Sequence, residues 1–179
     1  MISAMEHDFI PVRFAVLTVS DSRSLDEDRS GDLLAERITS AGHTLQAREI
    51  RKDDIRHIRS LVKNWIADPE IDAVITTGGT GFTGRDVTPE AIEPLFDKKM
   101  DGFSAIFHLI SHGKIGTSTS QSRAMAGRAG KTFIFCLPGS PGACRDAWDE
   151  ILVQQFDYRH KPCNFVEIMP RLDEELKRS

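Results

Sequence analysis

Cysteine is scarce in this chain: Cys136, Cys144 and Cys163 are the only three in 179 residues. The number is odd and no two stand at metal-knuckle spacing, so neither a disulfide framework nor a zinc site is expected. Long apolar runs are also missing. Stretches such as FAVL and IFCLP fall far short of the ~20 residues that span a bilayer. The opening MISAMEHDFI carries Glu6 and Asp8 and no apolar segment, so it does not read as a signal peptide. An excess of positive charge is absent as well. The 23 Lys and Arg face 27 Asp and Glu, for a formal net charge of -4. Duplex binders gain affinity by neutralising phosphates with basic side chains, so nucleic acid is not an expected partner. These absences together point to a reduced, cytoplasmic protein without a membrane partner.

What is present suits one globular domain. Hydrophobic residues make up 40% and charged residues 28%, which is neither a disordered nor a low-complexity composition. A chain of this length buries roughly 70% of its unfolded surface, so its core needs no crosslinks.

Short apolar runs alternate with segments of helical period. Phe14–Val19 predicts a buried strand, followed by a polar loop and a helix from about Ser30 to Ala41 that stops at Gly42. Leu45–Ile50 predicts a weaker strand. Ile55, Ile58, Leu61, Val62, Trp65 and Ile66 repeat at helical spacing, with Asp53 and Asp54 at the helix start, where carboxylates cap and complement the dipole. Ile71–Thr77 predicts a strand that runs into GGTGFTGRDVTPEA. There Thr88-Pro89-Glu90 reads as a helix start with a hydroxyl cap. Further helices are predicted around Gly102–His112, Gln121–Arg128 and Ala143–Phe156, and a strand over Thr132–Leu137. The organisation expected is an N-terminal extension (1–11), a domain (12–160) and a C-terminal tail (161–179). The alternation implies an α/β fold with a mostly parallel sheet.

Ligands of such sheets bind beyond the carboxyl ends of the strands. Three loops are predicted there: Ser20–Arg23, Gly78–Asp86 and Pro138–Gly142. Closely spaced Gly78, Gly79 and Gly81 suit a backbone that takes positive φ and approaches an anion closely. A Cβ at Gly79 or Gly81 is therefore expected to disfavour the conformation. Gly79, Gly81 and Gly84 also satisfy G-x-G-x-x-G, but the pattern neither opens a helix nor follows the first strand, so a dinucleotide fingerprint is rejected. Gly127–Thr132 fails as a P-loop because a strand follows it, which leaves Lys131 as a turn residue. Asp86 either pairs with Arg85 and backbone amides or faces bound phosphates as a magnesium ligand. Asp53 and Asp54 are capping residues unless the fold brings them near Asp86. The hydroxyl-rich stretch before Arg123 suits an anion or a plain cap equally. His108 and His112 have the spacing of a metal pair but lack an intervening Glu, and read as core or surface histidines.

Taken jointly, Thr18–Arg23, Thr76–Gly81, Arg85–Ala91, Leu137–Pro141 and Ser122-Arg123-Ala124 resemble the MoaB/MogA family of molybdenum cofactor biosynthesis proteins. The likeness covers about Val12 to Asn164 and leans toward the MoaB branch. It implies a single three-layer α/β/α domain, assembled as a trimer or hexamer. The implied activity is adenylyl transfer from ATP to molybdopterin with magnesium, the product passing to a molybdenum-insertion protein. The alternative is a non-catalytic protein that holds the pterin or a nucleotide. Carried onto this chain, the resemblance makes Asp53 (or Asp54) and Asp86 the catalytic, magnesium-binding acids. Ser20, Asp21, Gly78, Gly79, Thr80 and Gly81 are expected on the nucleotide. Ser122, Arg123, Pro138, Gly139 and Ser140 are expected on the pterin-phosphate side. Lys52 stands where adenylyltransferases of the family often carry proline.

Overall fold

The computed structural model describes residues 8–177. Residues 1–7 of the expected extension and residues 178–179 of the expected tail lie outside the described residues.

Six strands among the described residues form one sheet in the order β2-β1-β3-β6-β5-β4. These are β1 (Arg13–Val19), β2 (Thr44–Arg51), β3 (Ala73–Thr77), β4 (Lys98–Lys99), β5 (Met125–Ala129) and β6 (Thr132–Leu137). The first three and β6 are parallel, while β5 and β4 add an antiparallel edge. The sheet is therefore mostly parallel, as expected.

The central strands are buried on both faces, and their alternate residues divide two cores. Phe14 and Val16 of β1, Ala73 and Ile75 of β3, and Phe133 and Phe135 of β6 point to one side. Ala15, Leu17, Val74, Ile134 and Cys136 point to the other. The period of two in side-chain direction makes this division. The first face is covered by α1 (Arg29–Ser40), α4 (Asp101–Ile115) and α5 (Pro141–Ala147), through Leu34, Ile38, Phe103, Phe107, Cys144 and Ala147. The second is covered by α2 (Ile55–Ala67) and α3 (Thr88–Ile92), through Ile58, Val62, Trp65, Ala91 and Ile92. The result is three layers, α/β/α.

α5 continues through one wide-turned stretch, Trp148–Leu152, into α6 (Val153–Gln155). The chain after residue 160 packs back onto the first face. Asn164 caps α7 (Phe165–Ile168), and Phe165 lies against Phe133, Phe135 and Phe156. His43 sits in the same core, accepting from the Val12 amide at 3.1 Å, and burial pushes its pKa down to about 4.

One predicted element is wrong. Gln121–Arg128 is not a helix: Gly116–Gln121 forms a 3-10 segment and Met125–Ala129 is a strand. The cause is a hairpin. Ala129 pairs with Thr132 across Gly130-Lys131, and Gly130 takes a φ of 58°. A two-residue turn with positive φ at its first position suits the strand twist and pulls Met125–Ala129 into the sheet. Tertiary pairing here overrides the local helical reading. Lys131 does sit in that turn, where it pairs with Asp173 at 3.0 Å.

Candidate functional site

α1 follows β1 on one face of the sheet, and α3 follows β3 on the other. The chain therefore diverges between adjacent strands β1 and β3, leaving a crevice at their carboxyl ends. A cleft of about 780 Å³ opens there. Its walls include Ser20, Asp21, Gly78–Gly81, Asp53, Asp86, Ser122 and Pro138–Ser140, so most of the expected site residues meet in one place.

The glycine loop is held from several sides. Gly78 and Gly79 take φ of 101° and 67°, which L side chains rarely adopt. A Cβ on Gly78 would stand 2.2 Å from the Val19 carbonyl oxygen, and one on Gly79 would stand 2.3 Å from Thr88 Oγ1. Gly81 differs from expectation: its φ is not positive. A Cβ there would instead meet Asp86 Oδ2 at 2.8 Å, so it would press on the Asp86 carboxylate rather than on the backbone. Thr88 also departs from its expected role. Val87 occupies the N-cap position, and Thr88 Oγ1 donates to the Gly78 carbonyl at 2.8 Å. The third loop is tied in by Ser30 and Arg23, which both donate to the Gly139 carbonyl, at 2.8 and 3.2 Å. Ser140 caps α5 by accepting from the Ala143 amide at 3.1 Å.

The carboxylates fall into distinct environments. Asp54 caps α2, accepting from the amides of Arg56 and His57 at 2.9 and 3.0 Å, and the His57 amide leads in holding its pKa low. Asp53 turns away from the helix into the cleft. Burial, then the charges of Asp21 and Asp86, push the Asp53 carboxyl above the ordinary range. Asp86 accepts from the Thr83 hydroxyl at 2.6 Å and the Thr83 amide at 2.9 Å, and these bonds, the hydroxyl first, hold its pKa down. Arg85 does not pair with its neighbour Asp86; it reaches across to Asp21.

Residues 15–158 match the family described as "Probable molybdopterin binding domain". Molybdenum cofactor biosynthesis protein B of Escherichia coli (strain K12) is 47% identical over 163 residues, covering 91% of this chain and 96% of that protein. Its namesake from Bacillus subtilis (strain 168) is 41% identical over 145 residues, 80% and 85% of the two chains. The chain belongs to the MoaB/MogA family. Among solved structures, a molybdenum cofactor biosynthesis protein B matches this MoaB-like chain with a TM-score of 0.79 at 37% identity, covering 95% of it and 98% of the other. The tungsten cofactor synthesizing protein MoaB from Pyrococcus furiosus gives 0.74 at 32% identity, with 91% and 98% covered. As a family member, the chain acts in molybdenum cofactor biosynthesis.

Arg123 takes a different place from the one expected. Its Nε donates to the Gly81 carbonyl at 2.9 Å and a terminal nitrogen to the Asp86 carbonyl at 3.0 Å; the other pairs with Glu90. Its guanidinium also lies 5.4 Å from the Phe82 ring centroid. In this MoaB-like fold Arg123 thus braces the glycine loop from behind, and its neighbour Ser122 lines the cleft.

His108 has both ring nitrogens against backbone carbonyls, of Ser104 at 2.7 Å and Ser122 at 3.1 Å, which leaves neither for a metal. Among the described residues no ready-made cluster of three His, Cys, Asp or Glu ligands is present. Magnesium does not require one. It keeps several waters and takes one or two carboxylates with substrate phosphates. Asp53 and Asp86 are hard oxygen donors whose mutual repulsion a cation would relieve, so they fit it. Burial pushes the Cys144 thiol up to about 11, so this cysteine beneath the Pro138 loop is no nucleophile. Sequence reasoning missed Arg23 as a clamp, and it missed Phe107, Ser111 and Ile115 of α4 as part of the cleft wall. Nothing local marks α4 as a wall; only its packing beside the loops does.

Proposed function

We propose that this protein is a magnesium-dependent molybdopterin adenylyltransferase. One observation carries the reading: Asp53 is driven toward the cleft, its charge raised in energy by burial and by Asp21 and Asp86, directly beside the positive-φ glycine loop. A site that sets carboxylates repelling one another beside a positive-φ glycine loop suits a cation with bound phosphates. The cleft volume of about 780 Å³ also suits small-molecule substrates.

In the reaction, the terminal phosphate oxygen of molybdopterin attacks the α-phosphorus of ATP. One P–O bond forms, the bond to the β-phosphate oxygen breaks, and pyrophosphate leaves. Two anions must be brought together, so positioning and charge stabilisation dominate. Gly78–Gly81 would cradle the nucleotide phosphates, with Arg123 and Thr88 fixing that loop. Asp53 and Asp86 would hold magnesium, which neutralises charge and polarises the α-phosphate. Ser122 and the Pro138–Ser140 loop would face the pterin-phosphate side.

The test is to incubate the protein with ATP, magnesium and molybdopterin and to measure adenylyl-molybdopterin and pyrophosphate. Stoichiometric release supports the reading. Binding of both substrates without AMP transfer overturns it in favour of a carrier.

The protein is also expected to be a homo-oligomer, a trimer or hexamer, that passes its product to a molybdenum-insertion protein. Ile106 and Leu109 of α4, 50% and 73% exposed, give an apolar helix face that assembly would cover. Sedimentation should find a species well above 20.0 kDa; a single protomer-sized species would refute the assembly.

A further inference from the structure

Five charged side chains line the cleft: Asp21, Arg23, Asp53, Arg85 and Asp86. Arg23 is tied to the Gly139 carbonyl, and Asp86 to the hydroxyl and amide of Thr83. Arg85 is held differently. It stands on the loop after β3, and its guanidinium crosses to Asp21 on the loop after β1. The ion pair therefore spans the crevice that a ligand must enter. Among the described residues Asp21 is the only hydrogen-bond or ion-pair partner of that guanidinium. The Arg85 side chain is 73% exposed and the Asp21 side chain 31%. Asp21 has a second anchor: its Oδ1 accepts from the Asp53 amide at 3.3 Å, while Oδ2 takes Arg85. The carboxylate thus keeps its place beside Asp53 if the guanidinium leaves, and the guanidinium, on a long exposed side chain, is free to leave.

We infer that Arg85 is an exchangeable counter-ion that couples phosphate to cation in this cleft. It neutralises Asp21 in the ligand-free protein and passes to a phosphate that enters, leaving Asp21 with Asp53 for magnesium. An exposed ion pair is weakly held, because water and salt screen it. A phosphate offers the guanidinium paired, charge-assisted hydrogen bonds and more negative charge than one carboxylate. The exchange is therefore favourable only once the anion arrives. Until then the Arg85 charge also offsets Asp53, so the acids of the cleft are not left to repel one another unopposed. The inference rests on the reaction proposed above, which brings phosphates and magnesium together at these loops.

The experiment titrates metal-free tripolyphosphate, glycerol phosphate and magnesium chloride, each alone, into wild type, Arg85→Gln, Asp21→Asn and the double variant. Thermal melts show that each protein is folded. Arg85→Gln should weaken a phosphate probe about tenfold and strengthen magnesium several-fold. In the Asp21→Asn background the same substitution should leave magnesium affinity unchanged, because the carboxylate it would release is gone. The Asp21 carboxyl carbon, followed by NMR, should move when phosphate binds wild type, toward its position in ligand-free Arg85→Gln. Weakened tripolyphosphate supports exchange with the nucleotide phosphates, and weakened glycerol phosphate supports exchange with the pterin phosphate. An Asp21 signal that stays in place while phosphate binds overturns the inference and makes the pair a structural tie. So does phosphate affinity unchanged by Arg85→Gln, magnesium affinity lowered by it, or failure of both phosphates to bind wild type. AMP transfer with a stationary Asp21 signal defeats the exchange alone; a moving signal without AMP transfer defeats the proposed reaction alone.

Discussion

Asp28 and Asp53 stand on the loops that follow neighbouring strands β1 and β2, and the fold treats their charges in opposite ways. Asp28 has no exposed side-chain surface, yet it is fully compensated. It accepts from Thr18 Oγ1 at 2.7 Å, the Gly31 amide at 2.9 Å and Arg48 at 3.0 Å. Asp53 is only half-buried, yet two other carboxylates bear on it and its own pKa rises. Arg85, the nearby cation, is taken by Asp21. Burial alone thus does not decide whether an acid is compensated; the supply of partners does. Asp28 anchors α1, and through Ser30 that helix anchors the Gly139 loop. Asp53 has no such set of partners, and the cation proposed above would supply one.

Five substitutions, in four tests, break or sharpen this contrast. The largest effect is expected at Asp28. Asp28→Ala removes the α1 cap and leaves Arg48 with Asp32 alone, which should cost about 3–5 kcal/mol of stability in urea unfolding. A loss below 1 kcal/mol would show that the buried network is dispensable. Next comes Asp86→Asn, which keeps the shape and removes the charge. Adenylyl transfer should fall about a hundredfold, on the order of 3 kcal/mol of transition-state stabilisation, with partial rescue by added magnesium. Near-wild-type transfer by the folded variant would make Asp86 a loop-building acid like Asp28.

The glycine loop offers a paired test. Gly79→Ala must hold a positive φ and displace Thr88 Oγ1, a strain of about 1–3 kcal/mol. ATP affinity should fall about tenfold or more. Gly84→Ala meets nothing within 4 Å and should leave affinity and stability within ~0.5 kcal/mol of wild type. Equal effects at the two positions would remove the special standing of Gly79.

The smallest effect concerns pH. A carboxyl whose folded pKa is raised destabilises the ligand-free fold once pH exceeds its ordinary 3.8, and the penalty is complete above the raised value. Asp53→Asn should therefore raise Tm slightly at neutral pH and converge with wild type in acid. Asp86 has the opposite sign: its stabilisation is present above 3.8 and fades as pH falls through its lowered value. Magnesium should move the Asp53 titration downward by NMR. A Tm lowered at neutral pH by Asp53→Asn would show that Asp53, like Asp28, is held by partners.

Some of this was legible along the chain because it is encoded locally. The alternation of apolar runs with helical periods gave the α/β layers, since side-chain direction follows from periods of two and 3.6. Loop chemistry marked the three strand ends, since Gly78 and Gly79 sit where only glycine takes the backbone angles cheaply. Those features depend on a residue and its near neighbours. What only the tertiary structure decided depends on partners far apart in sequence. Asp53 and Asp54 are indistinguishable as neighbours; in the fold the Asp53 amide donates to Asp21 Oδ1 at 3.3 Å and the residue lines the cleft, while Asp54 caps α2. Met125–Ala129 becomes a strand because β6 is there to pair with it. Arg123 sits in a stretch that reads as an anion binder, yet the carbonyls of Gly81 and Asp86, some 40 residues away, claim its donors first. Local propensity is a property of the chain; hydrogen-bond partners and local field are properties of its folded neighbours, and the site is built from the latter.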